Sequence, residues 1–318
     1  MGNRLFYSCL GVGLSTPNVF PSNILTGVQS VAITSSNSIE YFLIAKNTEV
    51  NPSNGSFQAT TDVTFDYSQI VTSFEDLSTA IGSNSYGDLY MFTGEDTEAE
   101  LDPVRYILCR YVLLESISYN ISVDSFFEQS KSFKGFSRYI CPFGSFPVGI
   151  PGEPTDTDPD CILPSVLKRE HFNITGSNLP SIVNSNALQT IQITQSINRT
   201  NINEPGTKTP YGSAVNFPIE TDITLELISR NLDGNTQPFQ TNSCLGNSFA
   251  TTDMEIVICN SVCENKFNIS EAAFTNIVYG GGDVGGGNQT ITIEYTSYEP
   301  LGINPLIEFP SNATAGCP

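Results

Sequence analysis

Apolar and polar positions alternate with a period of two along most of this chain. Phe57, Ala59, Thr61, Val63, Phe65 and Tyr67 stand at alternate positions, so on an extended strand their side chains share one face. That face predicts core. The same patterning predicts strands at residues 31–34, 39–45, 88–92, 104–114, 118–123, 191–194, 223–228, 254–259 and 290–298. Turn chemistry separates them, as in Pro52-Ser53-Asn54-Gly55, Pro205-Gly206 and Asp233-Gly234-Asn235. Helical spacing is rare. Ile70, Phe74, Leu77 and Ile81 predict one short amphipathic helix, opened by Thr72 or Ser73 and closed by Gly82. A second, weaker helical pattern covers residues 271–278, after Ser270.

Two stretches repeat each other at one offset. SVAITSS at residues 30–36 matches TIQITQS at 190–196, and TDVTFDY at 61–67 matches TDITLEL at 221–227. Phe57 and Phe217 keep the same register between them, so the match runs without insertion and marks a duplicated unit. Short strands, little helix and a duplication predict an all-β chain of two tandem antiparallel β-sandwich domains, immunoglobulin-like or jelly-roll in topology. An antibody-type domain would want a core Trp, and the chain has none. Residues 142–164, PFGSFPVGIPGEPTDTDPDCILP, hold enough proline to forbid regular structure. The expected organisation is a first sandwich over 1–143 with an N-terminal strand, a Pro/Asp-rich junction over 144–164, and a second sandwich over 165–318.

Cysteines follow the same plan. Cys9 and Cys161 open the two halves, while Cys141-Pro142 and Cys317-Pro318 close them. The first pairing to expect is Cys9 with Cys141 and Cys161 with Cys317, with Cys141 to Cys161 as the rival. Spacing does not place Cys109, Cys244, Cys259 and Cys263, which are further disulfide candidates.

Charge narrows the function. Thirty-three acidic residues face thirteen basic ones, for a net charge of -20, which repels phosphate backbones and anionic lipid surfaces. Nucleic-acid partners and membrane insertion are not expected; the longest apolar stretch, residues 106–114, is interrupted by Arg110 and falls far short of a spanning helix. Asn54, Asn120, Asn173, Asn198, Asn268, Asn288 and Asn312 each fit the N-glycosylation acceptor pattern. With an even cysteine number and few lysines, they predict an extracellular, secreted or cell-surface protein carrying N-glycans. Arg4 followed by LFYSCLGVGL mimics a weak signal peptide, but no small-residue cleavage site follows and Cys9 has its counterpart in Cys161. The start is read as that of a mature chain, with no membrane anchor.

Candidate chemistry is thin. Asp156, Asp158 and Asp160 alternate along the junction, a spacing able to turn three carboxylates toward calcium, the one cofactor the sequence admits. The ordinary reading is a solvated acidic linker, and more so for Glu95, Asp96, Glu98, Glu100 and Asp102. GGGDVGGG at 280–287 lacks the lysine of a phosphate cradle and reads as a flexible hairpin loop. His171, the only histidine, stands in an exposed polar run, Lys168-Arg169-Glu170-His171. No residues are assigned to catalysis, because nothing singles out a carboxylate pair of the kind glycoside hydrolysis needs. Cys259 and Cys263 in CNSVC have no matching second pair for a metal and read as disulfide partners.

The N-terminal segment is the most suggestive. Leu10, Val12 and Leu14 alternate with Gly11 and Gly13, making a slim strand whose apolar side fits a groove and whose other side admits a close backbone. It is either the first strand of its own domain or a strand donated to a neighbouring subunit, a contact that supplies a full ladder of main-chain hydrogen bonds. In LGVGL and the tandem β plan the chain resembles pilin-like subunits that polymerise by donor-strand exchange. That resemblance implies a non-enzymatic structural protein, a self-assembling subunit of a fibril or surface coat. A secreted adhesin or lectin-like module is the alternative, followed by a hydrolase and a capsid-type jelly roll.

Overall fold

The computed structural model describes residues 7–21, 25, 27–41, 56–70, 87–95, 103–142, 167–177, 179–180, 183, 187–202, 212–229, 251–259, 264–281, 289–299 and 307–308. The predicted all-β class holds. Every strand pairing is antiparallel, and among the described residues there is no α-helix. Residues 271–278 form a strand rather than a helix: Thr275, Ile277 and Val278 are β-branched, and from Ala273 on the segment pairs with the strand at 289–299, across a bulge between Phe274 and Asn276. The helix expected after Ile70 falls on residues 71–86, outside the described residues.

The strands of the first half are β1 (Tyr7–Ser15), β2 (Val28–Tyr41), β3 (Ser56–Ile70), β4 (Gly87–Glu95), β5 (Pro103–Ser122), β6 (Glu128–Gly135) and β7 (Ser137–Pro142). The second half contributes β8 (Phe172–Gly176), β9 (Leu188–Ser196), β10 (Arg199–Ile202), β11 (Gly212–Val215), β12 (Ile219–Ser229), β13 (Thr252–Cys259), β14 (Glu264–Gly280), β15 (Gln289–Glu299) and β16 (Ile307–Glu308). Two long strands organise them. The first part of β5 pairs with β4 and β7, and its last part with β6 and β9. β14 does the same, pairing first with β13 and β16 and then with β15.

The duplication seen in sequence recurs in this topology. The order β2-β3-β6-β5 is matched by β9-β12-β15-β14, and β1-β4-β5-β7 by β8-β13-β14-β16. Register is copied as well: Val63 faces Gly135 as Ile223 faces Tyr295, each 160 residues on. The bulge in β5 falls between Leu114 and Ser116, and that in β14 between Phe274 and Asn276, again at the repeat offset. Within this run the β2 and β9 pairings differ, since Ile33 faces Phe65 but Ile193 faces Ile223. That slide is two residues, so every side chain keeps its face.

Both bends are built alike. Tyr111 in β5 has φ 56° and Glu271 in β14 has φ 50°, a left-handed conformation that side-chain-bearing residues rarely adopt. In each case an aspartate on the adjacent strand accepts the backbone N–H of that residue: Asp88 Oδ1 from Tyr111 at 3.3 Å, and Asp253 Oδ1 from Glu271 at 2.8 Å. The bend lets one strand run through two layers.

A predicted separation into two halves meets a continuous ladder. β5 pairs with β9 from Ser116 opposite Ser196 to Ser122 opposite Thr190, so β2-β3-β6-β5-β9-β12-β15-β14 is one run of neighbouring strands. One apolar core gathers Val12, Leu89, Cys109 and Val112 with Val63, Phe65, Tyr67 and Phe133. The second gathers Phe172, Ile256, Phe267 and Ile269 with Ile191, Ile223, Leu225, Ile291 and Ile293, and also takes Ile117, Tyr119, Ile121 and Phe127 from the first half. The Pro/Asp-rich junction lies outside the described residues.

Candidate functional site

The N-terminal strand is paired within its own chain. β1 runs antiparallel to β4, Val12 opposite Met91 and Leu14 opposite Leu89, with a bulge between Cys9 and Gly11. Val12 is fully buried in the first core, whereas Leu14 is 45% exposed. The slim glycine side is covered by the chain itself: a Cβ on Gly13 would meet Pro21 at 2.7 Å, a separation no real side chain tolerates. Of Leu10 only the backbone, on β1, is described.

Next to β1 lies an aromatic patch. Phe20 sits within 5.2–5.9 Å, ring centre to ring centre, of Tyr90, Phe92 and Tyr106, and Tyr90 Oη donates to the Val19 carbonyl at 3.2 Å. Tyr90 and Phe92 are buried while Phe20 remains partly exposed. Such rings give the strand layer an apolar outer face with one polar handle.

Beside this patch, Asp88 is the one completely buried carboxylate among the described residues. Its Oδ2 accepts the Asn18 N–H at 2.8 Å and lies 3.9 Å from Arg110 Nε, while Oδ1 serves the Tyr111 bend. One side chain thus ties together the turn after β1, the start of β4 and the bend of β5. Nothing in the sequence marked it, although an aspartate beginning a predicted strand is a signal worth testing for such a role.

Cys109 corrects an expectation. It is a free thiol in the first core, fully buried, so the disulfide reading of this residue is withdrawn. Seven cysteines remain for pairing, an odd number, so at least one has no disulfide partner among the other six. Cys9 and Cys141 stand on β1 and β7 with β4 and β5 between them. Three strand spacings amount to about 14 Å, twice the roughly 7 Å that a disulfide spans, so bonding them requires another place for one strand. The side chains of the other seven cysteines, Cys161, Cys244, Cys259, Cys263 and Cys317 included, lie outside the described residues.

Burial pushes the Cys109 thiol up to about 12, against a smaller downward pull from the Arg138 charge. The Tyr295 hydroxyl, buried in the second core without a hydrogen-bond partner among the described residues, is likewise pushed up to about 12 by burial. Both groups bind their proton more tightly folded than unfolded. Their contribution to stability is therefore complete below their ordinary values, near 9.0 and 10.0, and is lost as pH rises toward 12. Urea midpoints are expected to fall steadily from pH 9 upward, and Cys109→Ala with Tyr295→Phe should flatten that decline; an unchanged slope in the double variant would overturn the assignment.

The other predicted residues scatter. His171 ends a short 3-10 turn (Arg169–His171), and its Nδ1 accepts the Lys168 N–H at 3.1 Å, a local structural bond. Asn120, Asn173 and Asn268 are half-buried on β5, β8 and β14, while Asn198 is exposed just after β9. Asn54, Asn288 and Asn312 lie outside the described residues, as do Asp156, Asp158 and Asp160. Among the described residues no cluster of three His, Cys, Asp or Glu side chains is arranged to hold a metal ion, and no helix is long and apolar enough to cross a membrane.

Two strand edges complete the inventory. Among the described residues, no strand pairs with the outer edge of β2 or with that of β14 along residues 276–280. Both edges belong to the same extended sheet, at its opposite ends. No protein-family model matches the chain, and no curated protein matches it in sequence.

Proposed function

We propose that the chain is an extracellular, N-glycosylated structural protein, the repeating subunit of a fibril or surface coat, built as two tandem β-sandwich units fused edge to edge. The observation that carries this reading is the β5 and β9 ladder. Two copies of one unit are joined there head to tail, through unlike edges, and a contact of that kind propagates when it does not close. An acidic surface, with a net charge of -20, keeps such a subunit soluble until the edges meet. N-glycans at exposed acceptors such as Asn198 would shield the outside.

Strand donation by β1 is one route to assembly. In it, Leu10, Val12 and Leu14 would leave their own β4 for the same place on a neighbour, as in the pilin-like subunits the segment resembles. Electron microscopy of the purified native protein tests the fibril reading: ordered filaments or sheets are expected, and a dispersed monomer at all concentrations would overturn it. A secreted adhesin or lectin-like module is the second reading, favoured by the partly exposed Phe20 over Tyr90 and Tyr106. Glycan binding by the dispersed protein, lost in Phe20→Ala, would select it.

A further inference from the structure

We propose that the chain polymerises by its sheet edges: the outer edge of residues 276–280 of β14 in one molecule pairs antiparallel with the outer edge of β2 in the next. This rests on the fibril reading and names the contact that would build the fibril. The partner is a second copy of this chain.

The molecule already contains the contact once. β14 is the duplicate of β5 and β2 the duplicate of β9, and β5 pairs with β9 in the middle of the sheet. The two ends of the sheet therefore carry the two halves of a junction that the centre has made. At that junction Tyr119 faces Ile193 and Ile117 faces Gln195, and hydroxyls of Ser118 and Thr194 meet at 3.0 Å. At the repeat offset the corresponding residues are Tyr279 with Ile33, Ile277 with Ser35, and Val278 with Thr34. The tyrosine and isoleucine are identical in type.

Exposure marks what is missing. Tyr119, beside β9, is 3% exposed and packs on Phe127 of its own half and Phe267 of the other, whereas its counterpart Tyr279 is 45% exposed, and the adjacent Val278 is 48% exposed. On the other edge, Ile191 and Ile193 are buried, but Val31 and Ile33 are only half-buried. A neighbouring strand would remove this apolar surface from water while giving both edges main-chain partners.

Nor are the edges guarded. Proteins that avoid edge pairing place lysine, proline or inward charge on exposed edge strands. Residues 276–280, NIVYG, carry no charge and no proline, and β2 carries Glu40 as its one charged residue in fourteen. In a chain of net charge -20, these are strips where two copies can approach with little direct repulsion.

Geometry gives the filament a length scale. The shared run has eight strands, so with strands roughly 4.8 Å apart each molecule would advance the filament by at most about 38 Å, with a pseudo-repeat at about half that. Sheet twist would make the filament a coiled ribbon.

The test uses charge at the proposed contact, in the full chain. Val278→Lys with Thr34→Lys sets like charges opposite each other across the junction, and Val278→Lys with Thr34→Asp sets opposite ones. Circular dichroism and thermal melting establish that both variants fold, and electron microscopy with sedimentation reads assembly. The expected result is filaments in the native protein, their loss in the Lys/Lys variant and their return in the Lys/Asp variant. Filaments undiminished in the folded Lys/Lys variant, or absent from both folded variants, would overturn the edge pairing while leaving a fibril formed another way. A native protein that never assembles would overturn the fibril reading itself.

Discussion

Replacing Phe267 by alanine is expected to cost about 3–5 kcal/mol of stability, the usual loss when a large aromatic leaves a packed core. Phe267 is buried on β14 and contacts two rings from the first half: Tyr119 at 5.1 Å and Phe127 at 6.5 Å, both edge to face. The cost therefore falls on the joint between halves as well as on one core. A double-mutant cycle with Tyr119→Leu should return a coupling of about 0.5–1.5 kcal/mol, as expected of aromatic pairs in contact. Urea unfolding of Phe267→Ala should also shift the exposure of Cys109 to alkylation, although that thiol lies in the other core. If Cys109 labelling keeps its native midpoint while the second half melts early, the two halves are energetically separate and the shared sheet contributes little.

The halves are joined in this way for a reason the sequence displays only in part. Period-two alternation identified β3, β12, β13 and β15, because each has one face in a core and one nearer water. The duplication was legible because sequence and register repeat together, as at Val63 and Ile223. β5 was read as two strands, 104–114 and 118–123, and the interruption is real: it is the bulge at Leu114 to Ser116, which breaks alternation without ending the strand. Its bend was not legible, since the left-handed positions are Tyr111 and Glu271, residue types that ordinarily argue against that conformation. What permits them is Asp88 or Asp253 on a neighbouring strand, a contact between residues distant in sequence. The weak helical pattern at 271–278 failed for a related reason: its spacing straddles a bulge, and long-range pairing with β15 decided the outcome.

Edges were the least legible feature. Alternation predicts a face, not a neighbour, so the pairing of β5 with β9 left no mark in either strand alone. The repeat did carry a hint, because ISY at 117–119 returns as IVY at 277–279. One tyrosine is buried in a core and the other is exposed. That difference is what turns a description of the fold into a statement about assembly.

Asp88→Ala is expected to destabilise the chain by about 1–3 kcal/mol, the usual cost of a buried group left unpaired, because it strips a buried acceptor from the half-buried Tyr111 N–H, while the exposed Asn18 N–H can turn to water. Asp88 is fully buried and serves Asn18 and Tyr111 at once, with Arg110 Nε 3.9 Å away. Its counterpart Asp253 performs the same bend duty at Glu271 from an exposed position, where water replaces a lost acceptor. Asp253→Ala should therefore cost less than about 1 kcal/mol. Denaturant unfolding of the two variants decides the matter: a large loss for Asp88 and a small one for Asp253 would identify burial, rather than the bend itself, as the source of the energy. Equal losses would instead mean that the left-handed residues Tyr111 and Glu271 carry the strain, and that each aspartate is needed to hold its strand in two layers.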